Sequence, residues 1–291
     1  MSTILNIYNQ FHLGDNIFNF ILFYNIKNYI ENNNIIINYY CLSEYHKQLL
    51  EFKCTDNINL FNLTEPIGVH LWIGNTNFPI NHFNNNKSFN VFYVDFFNQY
   101  LSQQNLQIQI NNLEYTDPEL LIRYDKLDDK YKNIQVLIIN SDPLSGQYTK
   151  NEDEWNEFII NMNNKYNIVT TKKILNILCT LDNDLSAKDI ASLSIKCDII
   201  IAINTGIVPP LFNTCTLNNV KDFYYFDNSL YYSYEKFKKI NHINELNFLY
   251  ANIIETFDNE STFSYFNNIS LLILILLLLL AFTIYYKYNV Y

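Results

Sequence analysis

Two hydrophobic rhythms alternate along this chain. Short, continuous apolar runs are followed by stretches in which apolar side chains return every third or fourth position. Residues 4–8 (Ile-Leu-Asn-Ile-Tyr) predict a buried strand. His12-Leu13-Gly14-Asp15 reads as a turn. Residues 17–30 read as a long helix, with Ile17, Phe20, Ile21, Tyr24 and Ile26 on its apolar side. Residues 35–40 predict the next strand, residues 43–52 another helix, and residues 69–73 and 91–94 two further strands. The order strand, turn, helix, strand is that of a parallel α/β sheet.

Residues 125–132 (Asp-Lys-Leu-Asp-Asp-Lys-Tyr-Lys) are charged and polar, after which the pattern restarts. Residues 136–139 read as a strand, 153–162 as a helix and 168–170 as a strand. Residues 186–194 read as a helix, with Ser186 and Asp189 at capping-box spacing. Residues 198–203 form the most apolar strand and run straight into a Thr-Gly turn. Two α/β units in tandem imply two Rossmann-like domains, residues 1–130 and 131–262, facing one another. There is no internal repeat of short period.

The C-terminal end breaks the pattern. From residue 269 to 284 the only polar side chains are Ser270 and Thr283, and residues 271–280 are all Leu or Ile. A core helix keeps a polar face, and this run has none. Tyr285, Tyr286 and Lys287 follow, as at a membrane interface. The segment 268–286 is therefore expected to be a transmembrane helix anchoring the chain by its tail. With no N-terminal signal peptide, the body is expected on the cytosolic side of the membrane.

Composition changes the picture in two places. The sequence has 24 Tyr, 22 Phe and only five Gly, and Arg123 is its single arginine, a bias seen in proteins of AT-rich genomes such as those of large DNA viruses or some protists. Net charge is −10, which argues against nucleic acid as a partner, because phosphate backbones need clustered Lys and Arg. The five cysteines, Cys41, Cys54, Cys179, Cys197 and Cys215, have no CxxC spacing and suit buried free thiols in a reducing compartment.

Scarce glycine is informative. About 20 would be usual for this length, so the survivors should mark positions that need a missing side chain. Gly14, Gly146 and Gly206 all stand in loops that follow strands, where ligands bind in open α/β sheets. Gly14-Asp15 opens a helix, and Asp15 is either its cap or a general base in a cleft. Ser145-Gly146 precedes Lys150, either a solvated loop lysine or a point charge for phosphate. Asn204-Thr205-Gly206 offers a hydroxyl and N–H groups for a phosphate. Asp182-Asn183-Asp184 fits a turn better than a metal site. His12, His46, His70, His82 and His242 have no metal-ligand spacing, and no metal site is expected.

At these residues the chain resembles the heptosyltransferase-like glycosyltransferases of family 9. Leu13-Gly14-Asp15-Asn16-Ile17 matches the family's first loop. Lys150 before Trp155 matches its second-domain lysine, and residues 198–203 leading to Asn204-Thr205-Gly206 match its apolar strand and Asp-Thr-Gly turn. The resemblance implies a GT-B fold and sugar transfer from a nucleotide-sugar to a hydroxyl acceptor. Asp15 would be the catalytic base, while Gly14, Gly146, Lys150, Asn204, Thr205 and Gly206 would hold the donor. Family members need neither metal nor cofactor, and a membrane-tied body suits a lipid-linked acceptor. The sequence departs from the family at Asn204, where the acid is expected, and at Pro209-Pro210, near where a His is expected. The alternatives are an inactive GT-B-like binding protein and a membrane protein of unrelated structural function.

Overall fold

The computed structural model describes residues 3–72, 89–144, 146, 148–227 and 237–240, together with Leu246, Leu249 and Ile253. Two sheets carry the fold. The first has the order β3-β2-β1-β4, from β1 (Thr3–Tyr8), β2 (Ile35–Cys41), β3 (Ile58–Asn62) and β4 (Val69–His70). The second has the order β6-β5-β7-β8-β9, from β5 (Val136–Ile139), β6 (Ile168–Thr170), β7 (Ile199–Ile203), β8 (Asp222–Phe226) and β9 (Phe237–Ile240). Every strand pairing among the described residues is parallel. The alternation of strand and helix in the sequence requires this, since parallel neighbours need a crossover. Both sheets lie in one compact unit, Met1–Ile243.

The two sheets differ in how they are covered. β5 and β7 are buried at every residue, as expected of strands that read as unbroken Val/Ile/Leu runs. β2 alternates: Ile35, Ile37, Tyr39 and Cys41 face the core, while Ile36, Asn38 and Tyr40 are half-buried on the other face. That outer face carries an asparagine ladder. Asn6, Asn38 and Asn59 are in register on β1, β2 and β3. Asn38 Nδ2 donates to Asn6 Oδ1 at 3.0 Å, and Asn59 Nδ2 donates to Asn38 Oδ1 at 3.2 Å.

Helices α1 (Leu13–Asn25), α2 (Lys27–Asn32) and α3 (His46–Glu51) serve the first sheet. α4 (Phe89–Gln103) and α5 (Glu119–Lys126) lie between the sheets in sequence, and α6 (Glu152–Asn163), α7 (Ala187–Ser194) and α8 (Thr214–Asn219) belong to the second half. α7 has the expected capping box. Ser186 Oγ accepts from the Asp189 N–H at 3.2 Å, and the Ser186 N–H donates to Asp189 Oδ2 at 3.0 Å.

Several sequence expectations are corrected. Leu13 is already helical, so the turn falls at Asn9–His12 rather than at residues 12–15. The helix expected over 17–30 is two helices meeting at Ile26. The Asn25 amide bonds back to the Ile21 carbonyl at 2.8 Å, and its oxygen accepts from the Glu114 N–H at 3.0 Å, a side-chain competition that ends α1. Residues 91–94 are helical, not extended. Tyr93, Phe96, Phe97, Tyr100 and Leu101 are the buried stripe of α4, and the aromatic, β-branched start of that stripe mimics a strand. Of the strand expected at 69–73, Val69–His70 is extended, and Ile73 lies outside the described residues. Among the described residues no helix is long and apolar enough to cross a membrane; the segment 268–286 lies outside them.

Candidate functional site

The loop after β1 is bolted down from below by three buried asparagines. Asn9 Oδ1 accepts from the Phe11 N–H at 2.9 Å, forming the turn, and Asn9 Nδ2 donates to the Leu71 carbonyl at 3.1 Å. Asn16 Nδ2 donates to the carbonyls of Phe11 and His12 at 3.0 and 2.9 Å, and its Oδ1 accepts from the Tyr39 hydroxyl at 2.9 Å. Asn19 Nδ2 donates to the Tyr39 oxygen at 2.8 Å and to Leu71 O at 3.0 Å. An amide both donates and accepts, so one buried residue satisfies two groups without a buried charge. This floor fixes where α1 begins, and with it Gly14 and Asp15.

Asp15 stands in the first turn of α1, where the helix dipole favours a negative charge. It is not the cap; His12 holds that position and makes no side-chain cap bond. Its Oδ1 accepts from the Tyr93 hydroxyl at 2.9 Å, across from α4. Burial lifts its carboxyl pKa above the ordinary 3.8, while the Tyr93 bond and the charge of His12 pull the other way. A carboxylate that is partly desolvated and held by one oxygen has the character of a base. The Tyr93 phenol is itself pushed well up by burial, with Asp15 adding to the shift, so it stays a neutral donor.

The loop after β7 meets this one. A Cβ built on Gly14 would lie 2.8 Å from Gly206 Cα, and one built on Gly206 would lie 3.0 Å from Gly14 N. Backbone presses on backbone there, which only glycine permits on both sides. Thr205, next to this contact, has a buried hydroxyl with no hydrogen-bond partner. Asn204 Nδ2 donates to Asp227 Oδ2 at 3.0 Å, and the Asn204 N–H donates to the Phe226 carbonyl at 3.0 Å. Pro209–Leu211 then form a single 3-10 turn.

The third loop lies at the carboxyl end of β5, the strand beside β7. Gly146 has φ +68° and open space where a side chain would go, so its conformation rather than its surroundings calls for glycine; Ser145 lies outside the described residues. The Lys150 side chain is buried, with its ammonium 2.8 Å from the Asn140 carbonyl and 3.0 Å from both Asp142 and Glu152. Lys172 holds the same two carboxylates at 2.9 and 2.7 Å, and with Lys150 draws the Asp142 carboxyl down to about 2. Asp182 accepts from the Cys179 N–H at 3.2 Å and from Lys173 at 2.7 Å, and Asp184 is left-handed at φ 47°, so this segment is a turn. Among the described residues no three His, Cys, Asp or Glu side chains are grouped to hold a metal ion.

These loops all sit at carboxyl ends of parallel strands, in two halves that touch at Gly14 and Gly206. The architecture matches that of a heptosyltransferase. The structure of E. coli heptosyltransferase WaaC with ADP-2-deoxy-2-fluoro heptose aligns with a TM-score of 0.54 at 8% identity, covering 89% of this chain and all of that one (100%). The same enzyme with ADP gives 0.55 at 8% identity, covering 89% of this chain and 99% of that one. The chain thus has the GT-B-like α/β fold of that enzyme, with parallel sheets. No family model matches the sequence, and no curated protein sequence matches it.

Four residues of the site escaped the sequence reading. Tyr93 was hidden by taking α4 for a strand; the spacing of Tyr93, Phe96, Phe97, Tyr100 and Leu101 was the available signal. Asp227 is a lone acid directly after an aromatic strand, a position where a carboxyl-end residue faces a neighbouring loop. Asn9 and Asn19 looked like two more asparagines in a chain full of them.

Proposed function

We propose that the chain is a membrane-anchored glycosyltransferase that moves a sugar from a nucleotide-sugar to a hydroxyl acceptor. The observation that carries this is the Gly14–Gly206 contact, which brings Asp15 and the unpartnered Thr205 hydroxyl to the meeting edge of the two halves. Asp15 Oδ1 is held by Tyr93, and Oδ2 takes the proton of the acceptor hydroxyl as it attacks the anomeric carbon. The bond to the nucleotide diphosphate breaks as the new glycosidic bond forms, and the configuration inverts. Thr205 Oγ and the N–H groups beside it, with Lys150 where its carboxylates yield, stabilise the departing diphosphate.

WaaC, with which the fold is shared, is a heptosyltransferase whose structure holds an ADP-heptose analogue, and this favours a nucleotide-sugar as donor here. The apolar segment 268–286 supplies the anchor, and an acceptor linked to lipid fits an enzyme tied to a bilayer.

The test is release of nucleoside diphosphate by the detergent-solubilised full chain, offered ADP-heptose, UDP-glucose and GDP-mannose with membrane lipid extracts. Asp15→Ala should lower turnover about 10²- to 10⁴-fold while the donor still binds. Absence of donor binding to the unmodified chain would sink the proposal. For the anchor, the full chain should float with liposomes, and the double substitution Leu276→Lys with Leu277→Lys should abolish flotation.

A second reading is a GT-B-like protein that binds a nucleotide without turning over. The engagement of Lys150 by Asp142, Glu152 and Asn140 favours it, since these groups already neutralise the ammonium. Donor binding with no product in any acceptor mixture would select it.

A further inference from the structure

The capping box of α7 satisfies the N–H groups of Ser186 and Asp189 but not that of Ala187, the first helical residue. The acceptor for the Ala187 N–H is Gln48 Oε1 at 2.9 Å, which belongs to α3 in the other half, 139 residues away in sequence. The end of α3 is completed in the same way. The Lys188 ammonium donates to the carbonyl of Glu51, the last residue of α3, at 2.7 Å. The end of one helix and the start of another, from different halves, therefore cap each other. Side chains close the joint from a third direction. The Ser186 hydroxyl lies 2.6 Å from Glu51 Oε2 and 2.8 Å from Asp189 Oδ2, yet has one proton to donate. Arg123 of α5 serves both carboxylates, with Nη1 3.2 Å from Glu51 Oε2 and 2.9 Å from Asp189 Oδ1. All three charged side chains are only 22–26% exposed, so solvent screens them less than it screens a surface pair.

The joint reaches the loops of the candidate site through packing. α7 packs on the Pro209–Leu211 turn, which begins three residues after Gly206, and that turn packs on α1, whose second residue is Gly14. Ile190 and Leu193 of α7, Val208 and Leu211 at the turn, and Ile17 and Phe18 of α1 are all buried in one hydrophobic core that spans both halves. A close-packed core passes a displacement on instead of absorbing it. We propose that Gln48 and Glu51 are positioning residues. By capping α7 from the opposite half they set the spacing between the loop after β1 and the loop after β7, although neither residue belongs to those loops. The spacing matters because the backbones of Gly14 and Gly206 already press on each other, so a small rotation of α7 changes that contact. This goes beyond the sugar-transfer reading and does not depend on it.

The experiment is amide hydrogen exchange, read by mass spectrometry on the detergent-solubilised full chain. Three segments are followed: α7, the turn at residues 208–212, and β5. The N–H groups of Val208, Leu211 and Phe212 bond within their own turn at 3.0, 2.9 and 3.1 Å, so their exchange reports whether that turn opens. β5 is buried at every residue and reports global unfolding. Gln48→Ala removes one uncharged bond and should speed exchange about three- to tenfold in α7 and by a similar factor at the turn, with β5 unchanged. Glu51→Ala should act in the same direction, and Glu51→Gln, which still accepts hydrogen bonds, should fall between it and the unmodified chain. Leu50→Ala, at an exposed neighbour on α3, should change none of the three. If Glu51→Ala does not fold, Gln48→Ala carries the test, because it strands no charge. Faster exchange confined to α7 would make Gln48 a helix cap and nothing more, and an equal rise in all three segments would make the joint a general support of the fold. Either result, or no change in Gln48→Ala, overturns the inference and leaves the sugar-transfer reading to its own test.

Discussion

Tyr93 and Asp15 link α4 to the first turn of α1: a phenol donates at 2.9 Å to one carboxylate oxygen. The bond favours the ionised form of Asp15, whereas burial, the larger effect, disfavours it. Tyr93→Phe removes the stabilising part and keeps the burial. The Asp15 pKa should then rise further, and the acid limb of the pH–rate profile should move to higher pH. A profile that does not move would show that Asp15 is not the titrating base.

The same balance has a consequence for stability. For an acid whose folded pKa lies above its unfolded value, the folded state holds the proton more tightly, so stability falls as pH rises from 3.8 through the folded pKa. Above that window the cost of the buried charge is fully present. Asp15→Asn, which can still accept from Tyr93, should be more stable than the unmodified chain at pH 7. The gain should shrink toward zero as the pH is lowered to about 4, read from urea midpoints across the range.

Gly14 and Gly146 should respond differently to the same substitution. Gly14→Ala drives a methyl into Gly206 Cα and must push the two loops apart, at a cost of about 1–3 kcal/mol with loss of nucleotide binding. Gly146→Ala meets no neighbour and suffers only the left-handed backbone, about 1–2 kcal/mol, with binding retained. Chemical denaturation and calorimetry separate the two.

Lys188 is buried at the junction of α3, α5 and α7. Its ammonium lies 3.0 Å from Asp117, 2.6 Å from Glu119 and 2.7 Å from the Glu51 carbonyl, and the neighbouring Arg123 joins Glu51 to Asp189. Lys188→Met leaves Asp117 without its buried partner. Because Glu119 is half exposed and can turn to water, the loss should be about 2 kcal/mol rather than the larger cost of a fully buried pair.

The thiols offer a probe of the fold. Burial pushes Cys41 up to about 12 and Cys54 up to about 11, and raises fully buried Cys197 further. At pH 8 a thiol reagent should modify half-buried Cys215 first and reach Cys41 and Cys197 only on unfolding, as mass spectrometry of labelled peptides would record.

The parallel α/β character was legible because it rests on periodicity, which burial enforces: the continuous runs at β5 and β7 and the alternation at β1 and β2 are where the chain folds as its pattern says. Boundaries were less legible. Ile26 breaks a helix for reasons that lie in the Asn25 side chain, and the start of α4 imitates a strand because Val and aromatic residues serve both. At the site, rarity made Gly14 and Gly206 visible, and the close approach of their backbones is the physical reason they are glycines. Tyr93 and Asp227 were invisible for the opposite reason. One is a common residue in a tyrosine-rich chain, and the other reaches Asn204 only because β8 lies beside β7.

Asn9, Asn16 and Asn19 invert the usual inference from composition. The sequence is rich in asparagine, and most such residues can be exchanged at little cost. These three sit where a carboxylate would bring unwanted charge, an apolar side chain would strand several peptide groups, and a hydroxyl would offer one proton on one atom where an amide has two protons and a separate acceptor. The need is architectural, and at these positions it stands in plain sight, among residues that look like noise.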